Sequence, residues 1–262
     1  MSSTITVPFT GTITGGTMTY TPPPGSGTPP PGGGTPPPTG SDGIPDAMPV
    51  IPFGALTTGI LDAYDDQPWK STHDADSEGG TKSEGTTTYI NAVEGRNFKV
   101  TYEGKYSGHR FSLWCADDAD SLNWCYDLEV RFAKPDEIRN MELDINQVLD
   151  DGRTVIYDCQ CVPNGWEVDC WKETRAKGNP QQWGTGWHHV RIFCSRSADG
   201  NVTNWIGVEF DGAWRNFNYP PGNRALELGW DEKRIVINFQ LGSAKDSGVM
   251  EAWARNIQVW RW

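Results

Sequence analysis

GTGWHHVRIFCSRSADGNVTNWIGVEFDG, residues 184–212, holds two short runs, HHVRIFCSR and NWIGVEFDG, in which apolar and polar residues often alternate on either side of the turn signal ADG. Alternation with a period of two marks a half-buried β-strand, and Asp-Gly pairs close tight turns. The same pattern recurs from about residue 48 onward. RNFKVTYEGKY, YDLEVRFA, NMELDINQV, RTVIYDCQC, RIVINFQLG and ARNIQVWRW are all short, and DDG, PNG and FDG supply further turn signals. A single helical turn around PDEIRNM is the only competing signal. Many short strands sharing one large apolar set predict an all-β fold, a two-sheet sandwich of jelly-roll type over residues 48–262, not split further into domains.

Composition bounds the rest. A hydrophobic fraction of 36% with 13 Trp in 262 residues is enough to build a core. A formal net charge of -12 argues against nucleic acid as a partner, because a phosphate backbone needs clustered Lys and Arg. No run approaches the roughly 18 consecutive apolar residues of a membrane span. The N-terminus, MSSTITVPFTGTIT, has neither a basic nor an apolar signal region, so no secretion signal is visible.

The chain divides near residue 41. Residues 1–40 contain no Asp, Glu, Lys or Arg. Within them TPPPGSG, TPPPGGG and TPPPTG form a tandem repeat that can bury nothing. Residues 21–47 therefore read as an extended polyproline II spacer with glycine hinges, reaching on the order of 50 Å. Residues 1–20 alternate Thr with apolar residues and have strand character. A lone ribbon of that length is unstable in water, so they are expected to pair with another chain or a sheet edge as an anchoring arm.

Six cysteines, Cys115, Cys125, Cys159, Cys161, Cys170 and Cys194, fall within one 80-residue stretch. An even, clustered set without a CxxC pair points to disulfides in an oxidising compartment rather than to zinc. The expected pairs are Cys115 with Cys125 across a hairpin, Cys161 with Cys170 across a turn, and Cys159 with Cys194 between neighbouring strands. Six cysteines allow 15 connectivities.

In MELDINQVLDD, residues 141–151, Glu142, Asp144 and Asn146 alternate with Leu143 and Ile145, so a strand would point all three polar groups to one face. This stretch, the WHHV-to-VEFDG segment, VINFQLG and the terminal VWRW together resemble an uncharacterised domain common in secreted proteins of soil acidobacteria. That domain in turn resembles the concanavalin A-like lectin and glucanase superfamily. The resemblance covers residues 50–262 and implies a curved sandwich whose concave sheet carries the ligand site. WHHV followed by VEFDG also resembles laminin-G-like and pentraxin-like sandwiches. Glucanases of the superfamily carry Glu-x-Asp-x-Glu, with the first Glu as nucleophile and the last as acid/base. Here the matching positions are Glu142, Asp144 and Asn146. Asn cannot donate a proton to a leaving oxygen, and Gln147 does not restore a longer spacing, so hydrolysis by that mechanism is not expected. Glu167 and Asp169 in WEVDCW lack a third carboxylate.

A sugar-binding site needs less: Trp faces to stack on C–H surfaces, and Asp, Asn or Glu to accept from hydroxyls. Trp166, Trp171 and Trp183 lie in an irregular polar segment, and Trp114 and Trp124 flank the acidic loop CADDADSLNWC. They are the aromatic candidates, with Trp187, Trp205, Trp253 and Trp260 assigned to core or rim. His188 and His189 should face opposite ways, so that at most one faces the cleft, and His188 joins the ligand-binding set. No cofactor is expected; Asp117, Asp118 and Asp120 could hold a structural Ca²⁺, but their spacing does not match an EF-hand and a solvated acidic turn is the default. NVT at 201–203 fits a glycosylation acceptor.

Three functions compete. The first is a non-catalytic carbohydrate-binding, lectin-like module. The second is a structural surface protein, such as a virion decoration or fibre subunit or an extracellular filament subunit, anchored to a capsid, tail or filament partner by residues 1–20 and open to homo-oligomerisation. The third is a glycoside hydrolase or lyase. The combined expectation is an anchored appendage on a virion or extracellular surface that presents a sugar-binding sandwich to polysaccharide or surface glycan.

Overall fold

The computed structural model describes residues 47–63, 69–75, 80–229 and 235–262. The anchoring arm and nearly all of the spacer expected above lie outside these residues. The first strands are β1 (Leu56–Thr57), β2 (Lys70–Ala75), β3 (Lys82–Asn91), β4 (Gly95–Glu103), β5 (Ser107–Ala116) and β6 (Asn123–Phe132). Then come β7 (Ile138–Val148), β8 (Thr154–Tyr157), β9 (Cys159–Val162), β10 (Gly165–Val168), β11 (Lys172–Glu173) and β12 (His188–Arg196). The last are β13 (Thr203–Phe210), β14 (Ala213–Asn216), β15 (Ala225–Leu226), β16 (Ile235–Ser243) and β17 (Ser247–Arg261). PDEIRNM contributes one 3-10 turn, Pro135–Glu137. No helix among the described residues is long and apolar enough to cross a membrane.

The strands form two antiparallel sheets, which makes the chain the all-β sandwich expected from its alternation. The first runs β14-β13-β12-β6-β17-β4-β3, with β1 beside β17. The second runs β11-β10-β9-β7-β16-β5-β2, with β8 beside β7 and β15 beside β8. The hairpin that opened the sequence pairs β12 with β13, Val190 opposite Phe210 and Arg196 opposite Thr203. Gly200 closes it at φ 72°, a left-handed conformation that glycine adopts without strain.

The period of two decides what is buried. Trp124, Tyr126, Leu128, Val130 and Phe132 on β6 face Met141, Leu143 and Ile145 on β7 and Ile235, Ile237, Phe239 and Leu241 on β16 within one core. Phe98 of β4 stacks on Phe239 across the interior with ring centroids 4.5 Å apart. Each such side chain contributes about 1.5–3 kcal/mol by leaving water. A smaller cluster lies on the other side of the first sheet, where Cys125, Phe193 and Ile206 pack with Met48, Ile51, Trp214, Trp260 and Trp262.

The six cysteines are free thiols, which overturns the expected pairing. Cys125 points to the outer cluster while Cys115 packs against the core, so the first sheet separates them. Cys161 is buried beside Trp166 and Gly178, whereas Cys170 is exposed on a turn. Cys159 and Cys194 do share the core, but they approach it from opposite sheets rather than from neighbouring strands. Burial pushes both of these thiols well above the ordinary range, which suits inert core residues.

Candidate functional site on the outer face of the second sheet

Because Met141, Leu143 and Ile145 face the core, Glu142, Asp144 and Asn146 share the opposite face of β7, as the alternation requires. Strand pairing then extends each of them into a row. Register places Thr72, Arg110, Gln240, Glu142, Gln160, Glu167 and Glu173 side by side across seven strands. With neighbouring strands about 4.8 Å apart, that row spans roughly 29 Å. A second row runs Lys70, Ser112, Asn238, Asp144, and a third runs Trp114, Val236, Asn146, Ile156.

Part of this polar face is satisfied by its own members. Ser112 Oγ donates to Asn238 Oδ1 at 2.6 Å, and Asn238 Nδ2 donates to Asp144 Oδ2 at 3.3 Å. Asn140 donates to Gln160 at 2.8 Å, and Gln160 to Glu167 at 2.6 Å. Yet Asp144 Oδ1, Asn146 Oδ1 and Gln240 Oε1 are buried without a hydrogen-bond partner, and so is Asp158 Oδ1 nearby. All four are acceptors. A buried polar atom left unpaired costs about 1–3 kcal/mol, so this face is short of donors.

The carboxyl groups respond as expected of such a site. Burial pushes Asp144 up to about 7, although hydrogen bonds from Glu142 and Asn238 hold it down and the charge of Asp158 pushes the same way as burial. Burial also raises Asp158, against a hydrogen bond from the Cys170 amide. Gln147, next along β7, faces the other way. It accepts from Arg196 Nε at 2.8 Å and from Tyr157 Oη at 3.3 Å.

The aromatic candidates scatter. Trp114 lies on the outer face beside the rows, with Lys70 Nζ 5.8 Å from its ring centroid. Trp124 and Trp166 are core residues at 0% and 1% exposure, and Trp124 donates to Tyr157 Oη at 3.1 Å. Their expected exposure fails because both lie on strands, β6 and β10, with their side chains turned into the core. Trp183 is half-buried, stacked on Phe132 with centroids 5.5 Å apart, and borders a cleft of about 400 Å³ with Lys177, Asn179 and Arg215. His188 lies on the first sheet, away from the rows of the second. Its Nε2 donates to the Trp183 carbonyl at 2.6 Å, and its Nδ1 meets Asp211 Oδ2 at 2.8 Å, which commits both nitrogens to holding that loop.

Trp171 alone of these candidates is exposed, at 47%, and its backbone is unusual. Asp169, Cys170 and Trp171 take φ values of 48°, 59° and 67° in succession. Each left-handed L-residue costs roughly 1–2 kcal/mol, and surrounding bonds must hold the turn in place. Asp158 accepts from the Cys170 amide at 2.6 Å, and Asp169 accepts from Lys172 Nζ at 2.6 Å and Tyr219 Oη at 2.9 Å. That turn directly follows β10, which carries Glu167 of the first row.

The calcium expectation meets a committed side chain. Asp118 accepts from the amides of Asp120 and Ser121, both at 2.9 Å, from Ser121 Oγ at 2.6 Å and from Arg261 Nε at 2.6 Å, which leaves it few lone pairs for an ion. Among the described residues no group of three or more His, Cys, Asp or Glu is arranged to hold a metal.

Sequence reading missed Arg110, Ser112, Asn238, Gln240 and Gln160. The signal was present: HRFSLW and INFQLG alternate as plainly as MELDIN.

No family model matches the chain, and neither does any curated protein. Among solved structures, one of carbohydrate-binding modules from the β-sandwich superfamily is 10% identical with a TM-score of 0.41, covering 78% of this chain and 61% of that one. A family 11 carbohydrate-binding module from Clostridium thermocellum, in complex with a β-1,3-1,4-mixed-linked tetrasaccharide, is 15% identical with a TM-score of 0.35, covering 77% and 94%. Arcelin-5, a lectin-like defence protein from Phaseolus vulgaris, is 10% identical with a TM-score of 0.39, covering 74% and 98%. The chain spans less than two thirds of the first of these. Likenesses at this level carry no ligand across to it.

Proposed function

We propose that residues 48–262 form a non-catalytic carbohydrate-binding module whose ligand lies across the outer face of the second sheet. The observation that carries this reading is the set of buried acceptors without donors, Asp144 Oδ1, Asn146 Oδ1 and Gln240 Oε1, on adjacent strands. A polysaccharide supplies hydroxyl donors at repeated intervals along an extended chain, and the long polar row runs straight across the sheet. Trp114 on the same face offers an apolar ring for a sugar C–H surface.

Hydrolysis by the glucanase route does not fit the same residues. Asn146 has no proton to give. In this reading the arm of residues 1–20 anchors the module, through the spacer, to a larger assembly such as a virion or extracellular surface. Many weak sites displayed together then bind glycans by avidity.

A glycan array followed by titration with soluble polysaccharides tests the binding. Asp144→Ala and Gln240→Ala should each weaken the best ligand tenfold or more while the fold is retained. Unchanged affinity in both variants would overturn the assignment of the face. Deletion of residues 1–20 should abolish assembly and leave the sandwich intact.

A further inference from the structure

At the edge where the two sheets meet, β2 of the second sheet lies beside β3 of the first, and a histidine is built in between them. His109 on β5 is 2% exposed, with its ring 4.9 Å from that of Phe111. Its Nε2 is 2.6 Å from Ser71 Oγ on β2, and its Nδ1 is 2.9 Å from Ser83 Oγ on β3. Ser83 Oγ lies 2.7 Å from the Gly108 carbonyl and 2.7 Å from His73 Nδ1. Ser71 itself is exposed, and its Oγ also reaches the Gly85 carbonyl at 2.8 Å. Gly85 is glycine for a reason: a Cβ there would stand 2.2 Å from His109 Nε2 and displace the ring.

We propose that Ser71 is the nucleophile of a serine–histidine relay that hydrolyses acyl esters of small carboxylic acids. This activity is separate from the glycan-binding face, because Thr72 and Lys70 point to that face while Ser71 points inward to His109.

The arrangement has the parts of an activated hydroxyl: a nucleophile against a base, and the base oriented by a third group. With the imidazole proton on Nδ1, that proton is donated to Ser83 Oγ while Ser83 donates its own to the Gly108 carbonyl. Nε2 is then the acceptor for Ser71, whose one hydroxyl proton is shared between Nε2 and the Gly85 carbonyl and turns to Nε2 in the reactive arrangement. When Ser71 Oγ bonds to the ester carbonyl carbon, its proton passes to Nε2, and the imidazolium so formed keeps Ser83 Oγ as the acceptor for Nδ1–H. Collapse of the tetrahedral species breaks the bond to the alcohol oxygen, which leaves with the proton from Nε2. Water then attacks the acyl-serine, gives one proton to Nε2, and releases the carboxylic acid as Ser71 recovers its hydrogen. The sum is ester plus water giving acid plus alcohol. The Lys-Ser-Thr-His run of β2 has no apolar side chain to receive a long acyl tail, which sets the preference for short acyl groups.

The full chain is treated with a fluorophosphonate probe and digested for mass spectrometry, and in parallel assayed with p-nitrophenyl acetate. Labelling at Ser71, absent in Ser71→Ala and reduced at least tenfold in His109→Gln, is the expected result. Ser83 acts as a positioning residue, so Ser83→Ala should slow labelling and Ser83→Thr should restore it. Thermal melts of each variant separate loss of reactivity from loss of fold. If folded wild-type protein takes up no probe at Ser71 and hydrolyses the ester no faster than Ser71→Ala, the relay is a structural hydrogen-bond network and the proposal is wrong.

Discussion

The outer faces of the two sheets are both polar, and they treat their polar groups in opposite ways. On the first sheet Asp127 binds His189 at 2.7 Å and Arg191 at 3.2 Å, and Arg191 continues to Glu209 at 3.1 Å. Glu129 pairs with Arg255, Glu94 pairs with Arg131, and the two guanidinium groups lie over Trp187 and Trp253. Charge there is matched with charge. On the second sheet the central outward groups are mostly amides and carboxylates, and the buried atoms Asp144 Oδ1, Asn146 Oδ1 and Gln240 Oε1, all acceptors, have no partner. Two faces of equal polarity thus differ in what they still require. The first pairs most of its charges within itself, and the second leaves buried acceptors that a donor-rich ligand would complete.

The largest expected effect separates core from surface. Trp166→Ala should cost about 3–5 kcal/mol in chemical denaturation, because it removes a fully buried ring, whereas Trp171→Ala should stay within about 0.5 kcal/mol of wild type. Equal losses would mean that the strained turn is a packing element rather than a presentation of Trp171.

Next comes a pH dependence peculiar to the second face. Asp144 is raised from an ordinary 3.8 to about 7, so the native protein keeps a proton that the unfolded chain gives up. Stability therefore falls as pH rises from about 4 to about 7 through this group. Asp144→Asn removes the ionisation, and its stability relative to wild type should increase across that window. A difference that is flat with pH in urea titrations would contradict the buried carboxyl.

The first face gives a smaller effect in a different window. His189 is raised above its ordinary 6.5, chiefly by its hydrogen bond to Asp127. Its stabilisation is complete below that value and is lost as pH rises through the higher native one. The ring is about a third exposed, so solvent screening limits the gain to well under ~1 kcal/mol. His189→Gln should flatten the stability profile above pH 6.5 and leave glycan binding unchanged. The smallest effect belongs to Arg255→Ala, which should lower stability by no more than about 1 kcal/mol and not touch binding. Loss of glycan affinity in either variant would move the ligand to the wrong sheet.

Much of this was legible in the chain. Alternation in MELDIN, INFQLG and HHVRIF identified strands, and in MELDIN it gave the facing of Glu142, Asp144 and Asn146, because a pleat has no other way to place residues two apart. The tryptophans and cysteines were misjudged for a common reason. Trp124, Trp166 and Cys161 sit near polar or irregular segments, and whether such a segment lies against the core depends on contacts far away in sequence.

Local pattern by itself determined the all-β sandwich and the polar face of β7. Tertiary structure alone decided that Gln240 and Asn238 stand beside Glu142 and Asp144, nearly a hundred residues away, and that Ser71, Ser83 and His109 converge at one edge. Cross-strand register is fixed by the whole sheet closing over one core. A short window of sequence specifies which face a side chain takes, and not the neighbour it meets there.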